Sequence, residues 1–133
     1  SDIRFIGDKS GFKYMKKVLI VDDHEDIRRM IALTLSSDYQ IFEASDADHA
    51  EEIIRRELPD VVVLDVMMPG SMDGFQLCQV VKQNDALKHI WVILVTARGQ
   101  ESDLERGGEV GADSYYVKPF SPLALIKEID EHT

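Results

Sequence analysis

The chain has a single cysteine, Cys78. One thiol cannot close an internal disulfide, so a reducing, cytoplasmic setting is the expectation. Long apolar runs are missing as well. No stretch approaches the roughly 20 residues that a membrane-spanning helix requires, and the N-terminus lacks the apolar core of a secretory signal. Positive charge is scarce, with 15 Lys and Arg against 25 Asp and Glu, for a formal net charge of −10. That field repels nucleic acid and anionic lipid and points to proteins or cations as partners. Internal repeats and low-complexity tracts are absent. What remains, at 133 residues with 44% hydrophobic and 30% charged side chains, is the composition of one soluble domain large enough to bury a core without staples.

Residues 1–14 are polar, carry glycine and show no clear periodicity, and Met15 then leads into an apolar run. Two readings of this segment stand: an N-terminal extension, or a remnant of cloning ahead of a native start at Met15. Residues 15–133 form the domain. Short apolar runs there alternate with amphipathic segments. Val18–Val21, Ile41–Ala44, Val61–Leu64, Trp91–Val95 and Tyr115–Val117 read as strands, and the first, third and fourth are apolar throughout, as interior strands covered on both faces are. Between them, Ile27, Met30, Ile31 and Leu35 share one helical face, as do Ala50, Ile53 and Ile54, then Leu77, Val80 and Val81, then Leu125, Ile126 and Ile129. Ser45 is placed to cap the second helix, and Ser121-Pro122 to start the fifth. The segment between Gln100 and Val110 holds Gly107-Gly108, each costing about 1 kcal/mol in a helix interior, so a short, frayed or mobile helix is expected there. Five strand-then-helix units predict an α/β fold, a parallel sheet with helices on both faces.

In such sheets ligands bind beyond the carboxyl ends of the strands, so the strand ends carry the information. Asp22-Asp23 end the first strand, Asp65 the third, Thr96 the fourth and Lys118-Pro119 the fifth. If the first and third strands are neighbours, three carboxylates crowd one site and resist joint ionisation unless a cation joins them. Few, hard oxygen donors suit Mg²⁺. Lys118 adds a positive point charge and Thr96 a hydroxyl donor. Such a set stabilises a phosphoryl group moving in line onto a carboxylate, giving an aspartyl phosphate.

Each piece alone has an ordinary reading. Paired aspartates after a strand are commonly a solvated turn or a helix cap, Asp65 before a Pro-Gly loop a turn residue, Thr96 a strand-end threonine and Lys118 a surface charge. Their placement at corresponding strand ends is what speaks against coincidence. His24 follows the acid pair without a partner histidine or cysteine, poor grounds for a transition-metal site. His89 and His132 read as surface residues, Cys78 as packing, and Met67-Met68 as loop packing with a Met67 carbonyl available to a cation.

At these residues the chain resembles the response-regulator receiver family, over nearly all of 15–133. The matching motifs are Val18–Asp23, Val63-Leu64-Asp65 with Met68-Pro69 and Met72-Asp73-Gly74, Val95-Thr96-Ala97, Gly111-Ala112-Asp113 and Lys118-Pro119-Phe120. The resemblance implies a flavodoxin-like, doubly wound five-stranded parallel sheet in the order 2-1-3-4-5. It implies Asp65 as phosphoacceptor, with the phosphoryl group coming from a histidine kinase or a histidine phosphotransfer protein. It implies Mg²⁺ held by Asp23 directly, Asp22 through a water, Asp65 itself and the Met67 carbonyl. Lys118 would pair with the phosphoryl group, and its bond to Pro119 would be cis. Thr96 would swing toward the phosphate and Tyr115 rotate inward, changing the face made by the fourth helix, fifth strand and fifth helix. A downstream output domain or target protein, and a phosphorylation-dependent dimer, are the partners implied. The expected protein is a switch of a phosphorelay, not a turnover enzyme.

Two departures stand out. The loop from Met68 to Gly74 is one residue longer than the family's usual form, and the chain ends with the fifth helix, as either a stand-alone regulator or a piece of a larger protein would. Three rival readings exist. A haloacid-dehalogenase-type phosphatase would place a second aspartate two residues after its nucleophile, where this chain has Met67. A flavin module would need a Ser/Thr/Gly phosphate loop in place of Asp22–Asp26. A pseudo-receiver, acting only by protein contact, would keep the fold without phosphorylation.

Overall fold

The computed structural model describes residues 15–133; both readings of residues 1–14 lie outside the described residues. Five strand–helix units follow one another: β1 (Lys17–Val21) and α1 (Glu25–Leu35), β2 (Gln40–Ala44) and α2 (Ala47–Glu57), β3 (Val61–Asp65) and α3 (Gly74–Gln83), β4 (Trp91–Thr96) and α4 (Glu101–Glu109), β5 (Ser114–Val117) and α5 (Pro122–Glu131). The strands form one sheet in the order β2-β1-β3-β4-β5, each neighbouring pair parallel. This is the flavodoxin-like fold expected from the sequence.

The three apolar strands are the three interior ones, and their period of two sorts them between two cores. Leu19, Val21, Val62, Leu64, Val92 and Leu94 face one side, against Ala50, Ile53 and Ile54 of α2 and Phe75, Leu77 and Val81 of α3. Val18, Ile20, Val61, Val63, Ile93 and Val95 face the other, against Ile31 and Leu35 of α1 and Leu125 and Ile129 of α5. Each such side chain contributes about 1.5–3 kcal/mol by leaving water, so the central strands are the rigid part of the molecule. Cys78 is fully buried, and burial pushes its thiol up to about 12, which makes it a packing residue rather than a nucleophile.

Two local expectations are corrected. Met30 is half exposed, because the buried stripe of α1 runs Ile27, Ile31, Leu35 at four-residue steps and leaves Met30 on its outer edge. The second helix is capped by Asp46, not Ser45: the Asp46 carboxylate accepts from the His49 N–H at 2.8 Å. Helix α2 begins at Ala47, so the N-cap position falls on Asp46, one residue later than Ser45. Ser121 does cap α5, accepting from the Ala124 N–H ahead of Pro122.

Helix α4 is short but runs unbroken through both glycines. They differ in kind. A Cβ on Gly107 would meet the Tyr115 ring at 2.7 Å, whereas a Cβ on Gly108 would meet nothing within 4 Å. Gly107 therefore lets α4 lie close against Tyr115, and Gly108 is free to change. Gly108→Ala is expected to stabilise the protein by about 0.5–1 kcal/mol through helix propensity. Gly107→Ala should lose that gain to the displaced ring. Urea midpoints compare the two, and equal gains would mean that α4 does not pack as described.

Candidate functional site

The strand order reverses between β1 and β3, so the loops leaving those two strands diverge and open a crevice at the carboxyl edge of the sheet. Asp22 and Asp23 follow β1 directly, and Asp65 is the last residue of β3. The β1–β3 register continues to Val21 beside Leu64, which brings both chain segments to the crevice together. Asp22 and Asp65 are buried, while Asp23 stays open to solvent. The Lys118 amine reaches over from the end of β5, 3.3 Å from Asp22 Oδ2 and 3.6 Å from Asp65 Oδ2. The Lys118 N–H donates to the Thr96 carbonyl at 2.7 Å, and the Lys118–Pro119 bond is cis, as the family resemblance implies.

Asp65 is held tightly. Its Oδ1 accepts from the Met67 N–H at 3.1 Å, and the Val66 N–H donates to the Val95 carbonyl at 3.0 Å. The loop beyond it turns at Gly70, which has φ of 110°, and returns so that the Gly74 N–H donates to the Val66 carbonyl at 3.0 Å. Asp73 begins α3 with a reciprocal cap, its carboxylate accepting from the Gln76 N–H while the Gln76 side chain accepts from Asp73 N–H. The closeness of this return is set by glycine. A Cβ at Gly74 would lie 2.4 Å from the Asp65 carbonyl oxygen and 2.7 Å from Val66 Cα.

Burial, and then the charge of Asp22, raise the Asp65 carboxyl to about 6. Below the ordinary carboxylate value of 3.8 the group is protonated in both folded and unfolded chains and costs nothing. Between 3.8 and about 6 the folded chain binds more protons, so stability falls as pH rises through that window. In metal-free buffer Asp65→Asn is expected to stabilise the protein by about 1–2 kcal/mol near pH 7.5, allowing for solvent screening in an open crevice, and by nothing below about pH 4. Urea unfolding in EDTA at the two pH values reads this; a gain that is independent of pH would exclude a strained carboxylate as its source.

Thr96 is completely buried, and its hydroxyl oxygen accepts from the Arg98 N–H at 3.0 Å. The Tyr115 hydroxyl donates to the Arg98 carbonyl at 3.0 Å, and the Arg98 guanidinium donates to buried Asp103 of α4 at 2.8 Å. Arg98 thus touches both residues of the expected switch and the first turn of α4. Sequence reasoning passed over it, because an arginine two residues beyond a strand is ordinary. His24, which the sequence offered as poor grounds for a transition-metal site, lies beside the acid pair. Its Nδ1 lies 3.1 Å from Asp22 Oδ1 and 3.3 Å from Asp23 Oδ1, and the donor atoms of Asp22, Asp23, His24 and Asp65 all fall within 4.8 Å of one another.

The response regulator receiver domain family model matches residues 18–130. The chain belongs to the receiver family. Among relatives, this receiver is 40% identical over 115 residues to the phosphate regulon transcriptional regulatory protein PhoB of Pseudomonas aeruginosa, and 39% identical over the same length to PhoB of Escherichia coli. Those matches cover 86% of this chain and 50% of each relative, so the receiver spans about half the length of the curated relatives it matches. Among solved structures it resembles the chemotaxis protein CheY4 of Vibrio cholerae (TM-score 0.81, 32% identity, 90% of this chain and 99% of that one). It also resembles the BeF3-activated DrrB receiver domain (TM-score 0.80, 30% identity, 89% and 97%). Receivers of this family are signalling parts of two-component response regulators rather than turnover enzymes.

Proposed function

We infer that residues 15–133 work as the phosphoacceptor switch of a phosphorelay, with Asp65 receiving a phosphoryl group from a histidine kinase or a histidine phosphotransfer protein. The observation that carries this reading is Asp65 itself, a buried carboxylate at the strand-order switch point, set between the charge of Asp22 and the amine of Lys118. An Asp65 oxygen attacks phosphorus in line, the bond to the donor's imidazole nitrogen breaks, and the electron pair leaves with that nitrogen. Hard carboxylate donors from Asp22, Asp23 and Asp65 lie close together, a set that suits a hard divalent cation; Asp23 would hold it directly and Asp22 through a water, with Asp65 and the Met67 carbonyl completing the set. Bound Mg²⁺ supplies charge neutralisation for the carboxylates and the phosphoryl oxygens. Lys118 pairs with the phosphoryl group from the opposite rim.

The Arg98 contacts give the switch its route outward. A Thr96 hydroxyl that turns to donate to a phosphoryl oxygen releases the Arg98 N–H, and a Tyr115 ring that rotates inward releases the Arg98 carbonyl. Both changes act on the loop that holds Asp103, and so on α4 and the face it makes with β5 and α5. Phosphorylation then biases a two-state element and shifts its population. The reader of that face is a downstream output domain or target protein, or a second phosphorylated copy. The net charge of −10 disfavours nucleic acid as a direct partner of this domain. Cytoplasmic action accords with the single thiol, and among the described residues no helix is long and apolar enough to cross a membrane.

Intact mass after incubation with acetyl phosphate and Mg²⁺ tests the reading. One added phosphoryl group is expected, absent from Asp65→Asn and absent without metal. No addition to the wild-type chain, under conditions that label another receiver, would instead support the pseudo-receiver that acts by protein contact.

A further inference from the structure

We propose that Arg28 of α1 is a positioning residue for the acceptor site, holding the peptide between Asp22 and Asp23 so that both carboxylates face the pocket. This rests on the reading of the pocket as the Mg²⁺ site and concerns what orients its ligands from behind. Arg28 is the fourth residue of α1, near the positive end of the helix dipole, where a cation gains nothing. Its side chain is nevertheless mostly buried. Two contacts account for that placement. Nε donates to Glu43 Oε1 of β2 at 2.9 Å, and Nη1 donates to the Asp22 carbonyl at 2.9 Å.

A carbonyl is a handle on its whole peptide plane. The Asp22 N–H is tied to the Ala44 carbonyl at 3.1 Å, and Ala44 is the last residue of β2. The Arg28 fork takes over where that ladder stops. With its N–H and its carbonyl both held, Asp22 keeps one backbone direction, and the fixed plane sets where Asp23 leaves the chain. Asp23 is open to solvent, yet its carboxylate falls within 4.8 Å of the donor atoms of Asp22 and Asp65. Arg29 provides the contrast: it lies 3.4 Å from the second Glu43 oxygen, and its side chain is mostly exposed. Charge and geometry predict opposite signs for the loss of Arg28. Removing a positive charge beside three carboxylates strengthens their attraction for a cation. Releasing the peptide weakens it, and groups that orient metal ligands are commonly worth about tenfold or more in affinity.

The test is calorimetric titration of the whole chain with MgCl₂ for the wild type, Arg28→Met, Arg28→Lys and Arg29→Met, with urea unfolding in EDTA to establish that each is folded. Methionine keeps the apolar stem, and lysine keeps the charge without a fork that reaches both partners. Arg29→Met removes the same charge from beside Glu43 and leaves Asp22 alone. Mg²⁺ affinity is expected to fall about tenfold in Arg28→Met and at least about threefold in Arg28→Lys, and to stay within about twofold in Arg29→Met. In phosphorylation by acetyl phosphate, the Mg²⁺ concentration for half-maximal rate should rise by the same factors, with the rate at saturating Mg²⁺ largely kept. Unchanged or raised Mg²⁺ affinity in Arg28→Met, or in Arg28→Lys where the first variant does not fold, overturns the role of Arg28 while leaving the pocket standing. An equal loss in Arg29→Met overturns it as well. Failure of the wild type to bind Mg²⁺ overturns the reading of the pocket itself, and the role of Arg28 with it.

Discussion

Replacing Lys118 with alanine is expected to slow phosphorylation by acetyl phosphate about a hundredfold, the usual size of effect when one preorganised charge partner of a transition state is removed. The amine is mostly shielded from water and lies 3.3 and 3.6 Å from two buried carboxylates. Its removal acts twice. The incoming phosphoryl group loses the positive charge that faces it. Asp65 also loses the amine that holds its carboxyl down against burial and the repulsion of Asp22, so a smaller fraction is ionised and able to attack. Lys118→Arg should recover only part of the rate, since a planar guanidinium does not replace a compact ammonium at a confined rim. A time course of intact mass gives the rates, and thermal unfolding of each variant shows whether the fold is kept. A Lys118→Ala rate within threefold of wild type would place the working cation elsewhere.

Gly74→Ala should be the most damaging glycine-to-alanine change among the described residues, lowering stability by about 3 kcal/mol, at the upper end of what overpacking costs. The contacts are to backbone, at 2.4 and 2.7 Å, and a strand carbonyl cannot turn aside as a side chain can. Relief requires either the start of α3 to move out or the end of β3 to move, and β3 carries the acceptor. A change at the far end of the loop that follows Asp65 is therefore expected to reduce both stability and phosphoryl uptake. Helix propensity alone predicts the opposite sign, because alanine exceeds glycine in a helix. Urea unfolding decides between them: a stabilised or unchanged Gly74→Ala chain would show that β3 and α3 are not pressed together at this point.

The strand ends were legible in the sequence because a buried parallel strand writes itself as an apolar run, and the first polar residue after it marks the carboxyl edge. Asp22, Asp65, Thr96 and Lys118 were all found by that rule. Three features escaped it for physical reasons. Met30 obeys helical spacing as well as Ile31 does, and only the angle at which α1 lies on the sheet leaves it outside. Ser45 and Asp46 are both good caps, and the difference between them depends on where the first N–H groups of α2 point. Gly107 and Gly108 look identical in sequence, yet one is required by the Tyr115 ring and the other by nothing nearby. Arg98 escaped because its role comes from partners that the fold supplies, Asp103 and Tyr115.

Whether the phosphoryl group sits on Asp65 is read out by reductive trapping. The chain is treated with acetyl phosphate and Mg²⁺, reduced with borohydride, which converts an acyl phosphate to an alcohol, and digested for peptide mass mapping. Asp65 alone should become homoserine, with Asp22 and Asp23 unmodified in the same digest. Homoserine at Asp22 or Asp23 with Asp65 intact would contradict it.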